Sequence, residues 1–232
     1  MLLTGCAPPV LKGTSDLKLR SILATPEPKA TAIARLLSPD VVALVAREPV
    51  KGADSAALAL AELRLEGDPD VFRHHDVTLV LLGSGRSLLL ERSADDRIVK
   101  AIELPSPAPF GDMPQRLYWY GAAWNTDPRQ ARRDLIQASY AEGARYVDPG
   151  HDVTGPEEVA QMIGNLRMVA PGSIIQYVSG ITEAGEGWMT EDWVMLSRPG
   201  GRVLFRGMDV FHLGADGKID YLAGFIGTRV PR

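Results

Sequence analysis

The sequence predicts an α+β protein of two similar units, each with helices packed on one face of a curved antiparallel sheet. In the second half, three helical stretches and one short strand precede a series of long strands. That order is typical of helices segregated on one face of an antiparallel sheet. The same order recurs, with weak residue identity, in the first half. A chain of 232 residues is long enough for two domains of about 100–120 residues each.

Composition and charge exclude several classes of protein. Hydrophobic residues make up 45% of the chain and charged residues 23%, which is an ordinary balance for a globular protein with a sizeable core. The net charge is −4 and the sequence has no dense block of Lys and Arg, so a nucleic-acid partner is disfavoured. No apolar run approaches the roughly 20 residues that would span a bilayer, so we expect no transmembrane segment.

The N-terminal residues 1–24 are predicted to form a tail. Within them, Leu3-Thr4-Gly5-Cys6 resembles the lipobox of bacterial lipoproteins. Only five residues precede Cys6, fewer than the apolar stretch of about 7–15 residues that an export signal needs. The sequence as written therefore predicts a disordered tail and a cytoplasmic protein. The alternative is a lipid-anchored periplasmic protein whose native start lies upstream of Met1.

Cysteine and histidine usage gives no support for a metal site. Cys6 is the single cysteine, which excludes a Cys-rich zinc site. Of the four histidines, His74 and His75 are adjacent and would point to opposite faces of a strand. We therefore predict no metal and no organic cofactor.

The second unit is predicted to cover residues 115–232. A helix over 113–125 is followed by Thr126-Asp127-Pro128, a capping side chain and a proline that begin a second helix. A short strand ends at Asp148, and a third helix begins after Gly155 with acids at its positive end. The later strands are expected at 173–185, 187–197, 201–213 and 218–227.

The first unit, residues 25–104, repeats this order. It has a helix, a strand, a glycine and a second helix, and then strands at 75–84, 85–93 and 96–104. Gly52 corresponds to Gly155, and the turn at 94–98 corresponds to the turn at 215–219. A proline-rich stretch without periodicity, residues 105–114, is predicted to link the two units.

The second unit resembles the cone-fold superfamily of nuclear transport factor 2, the SnoaL-like polyketide cyclases and ketosteroid isomerase. The segments that carry the resemblance are YGAAWNTDP (120–128), ARYVDP (144–149), GPEEV (155–159) and, most specific, GMDVFHLGADGKIDYLAGFIG (207–227). The first unit looks like a divergent copy. The resemblance implies a curved sheet around a deep apolar pocket. It also implies pairing through the outer face of the sheet, as an internal pseudo-dimer or a homodimer.

The resemblance assigns three catalytic roles. In the isomerases of this superfamily a tyrosine lies on the first helix, a base ends the strand before the third helix, and an acid lies on a late strand. These roles fall on Tyr120, Asp148 and Asp209. A carboxyl in an apolar pocket has a raised pKa and can donate a hydrogen bond to a substrate oxygen. Tyr118 or Trp119 could take the place of Tyr120, and His151 is a second candidate base.

Strand alternation places the candidate binding residues. On the strand at 201–213, Val203, Phe205, Asp209 and Phe211 share one face, and Leu204, Met208 and Val210 share the other, where the pseudo-dimer would form. On the preceding strand, either the set with Trp188 or the set with Trp193 points inward. The residues predicted to contact the substrate are Tyr146, Phe205, Phe211, Trp188 and Phe225.

Two alternatives compete with catalysis by the two acids. Asp148 can bind backbone amides in the turn that follows it, and Asp209 can be a structural partner of a nearby Tyr or Trp. Two carboxylates with an arginine would resemble limonene epoxide hydrolase. However, Arg145 and Arg206 fall on the faces opposite Asp148 and Asp209, which weakens that option.

The sequence thus predicts a pocket in the second unit only. In the first unit Val45 and Leu88 stand at the positions of Asp148 and Asp209, so that unit is expected to be a structural partner. The predicted function is a SnoaL-like protein that binds an apolar small molecule, a cofactor-independent isomerase or cyclase in which Asp148 removes a proton alpha to a carbonyl. The alternative is a non-catalytic ligand-binding or scaffold protein.

Overall fold

The computed structural model describes residues 21–22, 30–63, 69–82, 85–109, 111 and 113–227. Apart from the helical Ser21 and Ile22, the predicted N-terminal tail with Cys6 lies outside the described residues. The chain divides into two compact units, one mainly of residues 1–106 and the other mainly of residues 107–232. Each unit is an α+β cone in which helices pack on a sheet.

The first unit contains a six-stranded sheet. Its elements are α1 (Ala30–Ala34), β1 (Leu37–Val45), β2 (Glu48–Lys51), α2 (Ala53–Ala61), β3 (Asp70–His74), β4 (Val77–Leu82), β5 (Arg86–Arg92) and β6 (Ile98–Leu104). The strand order is β2-β1-β6-β5-β4-β3, and the pairs are antiparallel except for the parallel pair β1–β6. The sequence patterns did not predict β2 and β3, because these strands have only 4 and 5 residues.

Aliphatic side chains fill the inside of the first unit. Ile33 of α1 and Leu60 of α2 belong to one buried cluster with Val45, Leu88 and Leu90 of the sheet. Leu88 and Val45, which stand where the second unit has its two acids, are therefore part of an apolar core.

The second unit contains a seven-stranded sheet. Its elements are α3 (Gln115–Trp124), α4 (Arg129–Ser139), β7 (Tyr140–Asp148), β8 (His151–Thr154), α5 (Pro156–Val169), β9 (Ile174–Tyr177), β10 (Thr182–Gly185), β11 (Trp188–Leu196), β12 (Val203–Leu213) and β13 (Ile219–Ile226). The order is β10-β11-β12-β13-β7-β8 with β9 also on β11, and β13–β7 is a parallel pair. The sequence did not predict β8, which has only 4 residues.

The three helices of the second unit bury their apolar sides against the inner face of the sheet. Leu117 and Tyr120 of α3, Ile136 of α4 and Ile163 of α5 belong to one buried cluster with Phe211 of β12. Aromatic rings are frequent in this cluster, whereas the cluster of the first unit is aliphatic. The inner face of the second unit therefore carries phenol groups that the buried cluster of the first unit lacks.

A glycine in each unit joins the short hairpin to the helix after it. Gly52 and Gly155 have φ of 86° and 84°, a region open mainly to glycine. Their N–H groups donate to the carbonyls of Val41 and Ala144 at 2.9 and 2.8 Å. A Cβ on Gly155 would also lie 2.9 Å from a backbone oxygen. The correspondence between these two glycines predicted from the sequence is therefore also a correspondence of backbone conformation.

The outer face of the second sheet carries the residues predicted for pairing. In the β11–β12 register Asp209 lies opposite Glu191, while Met208 and Val210 lie opposite Asp192 and Thr190. Met208, Val210 and, by the same alternation, Leu204 thus lie on the face away from Asp209. Pairing through this face, as a pseudo-dimer or homodimer, stays a prediction. Among the described helices, none has the length and apolar character needed to cross a membrane.

Candidate functional site

A cavity of about 270 Å³ opens between the helices and the inner face of the second sheet. Its polar lining is Tyr120, Tyr146, Asp148, His151, Tyr177 and Asp209. Its apolar lining includes Trp124, Leu166, Ile175, Met195, Phe205 and Ile226. The cavity therefore combines an apolar wall with a few polar groups, as sites for small apolar molecules commonly do.

Asp209 is a buried carboxyl with two hydrogen-bond donors. The Tyr120 hydroxyl donates to its Oδ2 at 3.2 Å, and the Trp193 Nε1–H donates to its Oδ1 at 2.8 Å. Burial raises the pKa of Asp209 to about 7, although the hydrogen bonds from Trp193 and Tyr120 lower it in part. Near neutral pH, a large fraction of Asp209 is therefore protonated and can donate a hydrogen bond itself.

The structure distinguishes between the aromatic residues of α3. Tyr118 is 64% exposed, and Trp119 stacks with the Arg116 guanidinium 5.0 Å from its ring centre. Tyr120 is only 2% exposed and reaches Asp209. Burial and the nearby Asp209 charge raise the pKa of Tyr120 well above its usual value, so its hydroxyl stays protonated. Of the three candidates, Tyr120 alone lines the cavity.

The register of β11 corrects the expectation that Trp188 contacts a substrate. Trp188 pairs with His212, and its ring packs 5.1 Å from the His212 ring on the outer face. Trp193 pairs with Gly207 and lines the cavity. A Cβ on Gly207 would lie 2.3 Å from the Trp193 ring, so this glycine makes room for the indole that reaches Asp209.

Two other predicted contact residues also lie away from the cavity wall. Phe225 pairs with Met208, so it belongs to the outer face. Phe211 lies on the inner face, where it packs in the buried cluster with Tyr120 and does not line the cavity. Tyr146 and Phe205 do line it.

Asp148 sits at the end of β7, where it accepts hydrogen bonds from three groups. The Gly150 N–H donates to Oδ1 at 2.7 Å, and the Tyr146 hydroxyl donates to Oδ2 at 2.9 Å. His151 Nδ1 lies 2.9 Å from Oδ1 and 3.2 Å from Oδ2. Burial, followed by the Asp148 charge, raises the pKa of Tyr146 well above its usual value, which keeps that phenol a donor. Asp148 is thus a turn-binding carboxylate that also lines the cavity.

Gly224 keeps the space between the two acids open. It pairs with Asp209 across β12 and β13. A Cβ on Gly224 would lie 3.2 Å from Asp209 Oδ1, 3.6 Å from the Asp148 Cβ and 3.6 Å from the Tyr146 hydroxyl. Any larger residue here would occupy the part of the cavity that both carboxyl groups face.

Sequence reasoning missed a third acid, Glu191. It lies directly opposite Asp209 on β11 and is 1% exposed. Burial is the main reason that its pKa is raised well above its usual value, Asp209 adds to this, and the Tyr177 hydroxyl offsets a part. Neither carboxyl oxygen of Glu191 has a hydrogen bond of ordinary geometry. Alternation had grouped Glu191 with Trp193, but only packing shows that this group points inward.

Among the described residues, no Lys or Arg side chain lines the cavity. Arg145 is held by Asp152 through two hydrogen bonds of 2.9 and 2.8 Å, and Arg206 pairs with Val194 on the outer face. The arrangement of two carboxylates with an arginine is therefore not formed there by either residue. Within the described ranges, no group of three His, Cys, Asp or Glu side chains is placed to hold a metal ion.

Comparison with known proteins identifies the second unit. A family model for the SnoaL-like domain matches residues 118–222. A candidate isomerase of the SnoaL-like family from Agrobacterium tumefaciens is 31% identical; the match covers 49% of this chain and 96% of that one, with a TM-score of 0.46. A nuclear transport factor 2-like protein of unknown function from Exiguobacterium is 24% identical over 49% and 99%, with a TM-score of 0.41.

A candidate polyketide cyclase from Sinorhizobium meliloti is 18% identical; the match covers 49% of this chain and 95% of that one, with a TM-score of 0.39. Among curated proteins no match was found. The matched residues 118–222 contain most of α3, the β7–β8 hairpin and β12, and thus most of the residues that line the cavity; Gly224 and Ile226 lie beyond the match. The second unit is a SnoaL-like domain, and through it the chain belongs to the SnoaL-like family.

Proposed function

We propose that the second unit binds a small apolar carbonyl compound and moves a proton alpha to its carbonyl, as a cofactor-independent isomerase or cyclase. The observation that carries this proposal is Asp209, a buried acid with a pKa raised to about 7 that faces an apolar cavity beside Tyr120. Such an acid can donate a hydrogen bond near neutral pH. A second polar group, Asp148 with His151, lies across Gly224 from it.

The two polar groups suit two different catalytic roles, stabilisation of the carbonyl oxygen and removal of the proton. The Tyr120 hydroxyl and protonated Asp209 would donate to the substrate carbonyl oxygen, where negative charge develops as the proton leaves. Asp148 or its partner would take the proton from the alpha carbon. Return of the proton to another carbon gives an isomer, and attack of the enolate carbon on a second carbonyl group gives a ring.

The size and lining of the cavity restrict the ligand. Its volume of about 270 Å³ is slightly below the range of about 300–1,000 Å³ that is typical of ligand pockets. The apolar lining offers no cationic group for a phosphate or carboxylate. We therefore expect a small neutral terpenoid or single-ring enone rather than a larger polyketide or steroid.

A thermal-shift panel of enones, terpenoids and steroids tests the proposal. A ligand at about 100 times its Kd stabilises the folded protein by roughly 2.7 kcal/mol, a rise in Tm of several degrees at this size. We expect the shift with small enones and its loss in Asp209→Leu, the residue that the first unit has. Asp209→Asn, which keeps the shape, is the matched control and should retain part of the shift. The proposal fails if no compound of the panel shifts the Tm.

One observation favours a second candidate, a non-catalytic ligand carrier. Both oxygens of Asp148 and both oxygens of Asp209 accept hydrogen bonds from protein groups, as in a purely structural network. A carrier would bind members of the panel without turning them over. This candidate would be favoured by a compound that raises the Tm only when Asp209 is present and whose enolisable protons do not exchange.

A further inference from the structure

His151 and Asp148 form a carboxylate–imidazole pair at the edge of the cavity. Asp148 ends β7 and His151 begins β8, with only Pro149 and Gly150 between them. The two residues are direct partners in the hairpin register, and Nδ1 lies 2.9 Å from Oδ1. Because the loop has only two residues and the Gly150 N–H also binds Oδ1, the backbone fixes the position of both side chains.

We propose that His151 Nε2 is the atom that exchanges the proton with the substrate and that Asp148 is a positioning residue. This inference rests on the proposed function and assigns its base. It changes the role of Asp148 that the family resemblance implies.

The hydrogen bonds of Asp148 leave it poorly placed to act on a ligand. Its Oδ1 accepts from the Gly150 N–H, its Oδ2 accepts from the Tyr146 hydroxyl, and both face His151. Each donor occupies a lone pair that a base would need for an incoming proton. A carboxylate held in this way is suited to orient an imidazole.

His151 has a free face on the cavity. Its side chain is 33% exposed and lines the cavity. Its one hydrogen-bonded atom is Nδ1, so among the described residues Nε2 has no partner. A carboxylate at Nδ1 assigns the ring proton to that nitrogen, which leaves the Nε2 lone pair to accept a proton.

The His151–Asp148 pair can complete the proton transfer without any other reactant. The bond from the alpha carbon to hydrogen breaks, an N–H bond forms at Nε2, and the electron pair moves through the carbonyl group to its oxygen. The Asp148 carboxylate stabilises the imidazolium that results, as the aspartate does in Ser-His-Asp triads. Nε2 then returns the proton to carbon, which restores the neutral ring.

The outer face provides a matched control pair. His212 Nδ1 lies 2.6 Å from Asp220 Oδ1, and His212 does not line the cavity. His151→Gln and His212→Gln therefore each remove an imidazole that is bound to an aspartate, but only the first removes a group from the cavity.

The first measurement needs no ligand. In ¹⁵N NMR spectra of the full chain, recorded at a pH where the ring is neutral, we expect the His151 proton on Nδ1. In Asp148→Asn the ring should shift toward the Nε2–H tautomer, because the carboxylate that favours Nδ1–H is gone. A wild-type ring with the proton on Nε2 would overturn the assignment.

The second measurement follows exchange of the enolisable protons of carvone, a small apolar enone, in D₂O. We expect His151→Gln to lower the exchange rate at least about 100-fold with little change in the carvone-dependent Tm shift. His212→Gln should leave the exchange rate unchanged, and Asp148→Asn should lower the rate in parallel with the loss of the Nδ1–H tautomer.

A full exchange rate in His151→Gln, together with loss of exchange in Asp148→Asn, would make Asp148 the base. No Tm shift across the panel would instead reject the proposed function.

Discussion

The β1–β2 hairpin of the first unit and the β7–β8 hairpin of the second have the same strand lengths and the same glycine conformation, but different side chains beside the turn. Each joins a 9-residue strand to a 4-residue strand, and each is followed by a glycine with φ near +85° and a helix. The residues that flank the turn are Val45 and Glu48 in one hairpin, and Asp148 and His151 in the other. A backbone that can carry a carboxylate–imidazole pair therefore does not by itself specify one.

A second pair of corresponding positions differs between the inner faces of the two units. Glu103 of β6 lies opposite Leu88, accepts from the Ala46 N–H at 2.8 Å and forms an ion pair with Arg86. In the second unit the corresponding positions of Arg86 and Glu103 are Gly207 and Gly224. One glycine admits the Trp193 ring and the other leaves space beside Asp209. At these two positions the first unit thus has an ion pair, whereas the second unit has space for the Trp193 ring and beside Asp209.

The largest loss of stability and ligand binding is expected when Gly224 is replaced by glutamate, the residue that the first unit has at the corresponding position. Gly224→Glu would bring a carboxylate next to Asp209 with no arginine to pair with it, since Gly207 stands where Arg86 would be. A buried unpaired charge costs on the order of 3–5 kcal/mol, and the side chain would occupy the cavity. Chemical denaturation and the Tm-shift panel measure both losses. Gly224→Ala is the control and should cost much less, because its methyl group carries no charge; equal losses in both variants would contradict this explanation.

An effect of a few kcal/mol is expected in the pH dependence of stability. The pKa of Asp209 is about 7 in the folded protein and near 3.9 in an unfolded chain, so the folded state binds the proton more tightly. This contribution is fully present below about pH 4 and is lost as the pH rises through 7. Asp192, with a pKa raised to about 6, acts in the same direction.

Asp209→Asn should therefore flatten the fall in the free energy of unfolding between about pH 4 and 7 that the wild type shows. Denaturant titrations at a series of pH values measure this slope. Asp134→Asn, a change on the exposed side of α4, is the control and should leave the slope unchanged. If the slope of Asp209→Asn equals that of the wild type, Asp209 is not the group that titrates.

The smallest loss of stability is expected for a substitution in the first unit. Glu103→Gln keeps an oxygen for the Ala46 N–H but loses the charge that pairs with Arg86, at a cost of roughly 1–2 kcal/mol. Faster hydrogen exchange of the Ala46 amide would report it. Ligand binding should not change, because this unit is predicted to carry no site. A loss of the Tm shift in this variant would give the first unit a role in binding.

The sequence by itself determined the order of elements and several residues of the site. Periodicity predicted the strands β11, β12 and β13 and the helices α3, α4 and α5, because long elements repeat their pattern several times. The capping side chain predicted for α4 is wrong: Pro128 directly precedes the helix, and the Thr126 hydroxyl donates to the Ala122 carbonyl instead. The similarity of 207–227 to the SnoaL-like family directed attention to Asp209 on its late strand. The short strands β2, β3 and β8 gave no such signal, and so the hairpin that binds His151 to Asp148 was not predicted.

Only the tertiary structure decided which way the strands face. Alternation divides β11 into one set with Trp188 and another with Trp193, but both sets contain apolar and acidic residues, so hydrophobicity does not choose between them. The choice depends on packing. The Trp193 ring fits over Gly207, which turns Trp193 and Glu191 toward Asp209 and leaves Trp188 to pack against His212. Such contacts join residues that are distant along the chain, which a local pattern does not contain.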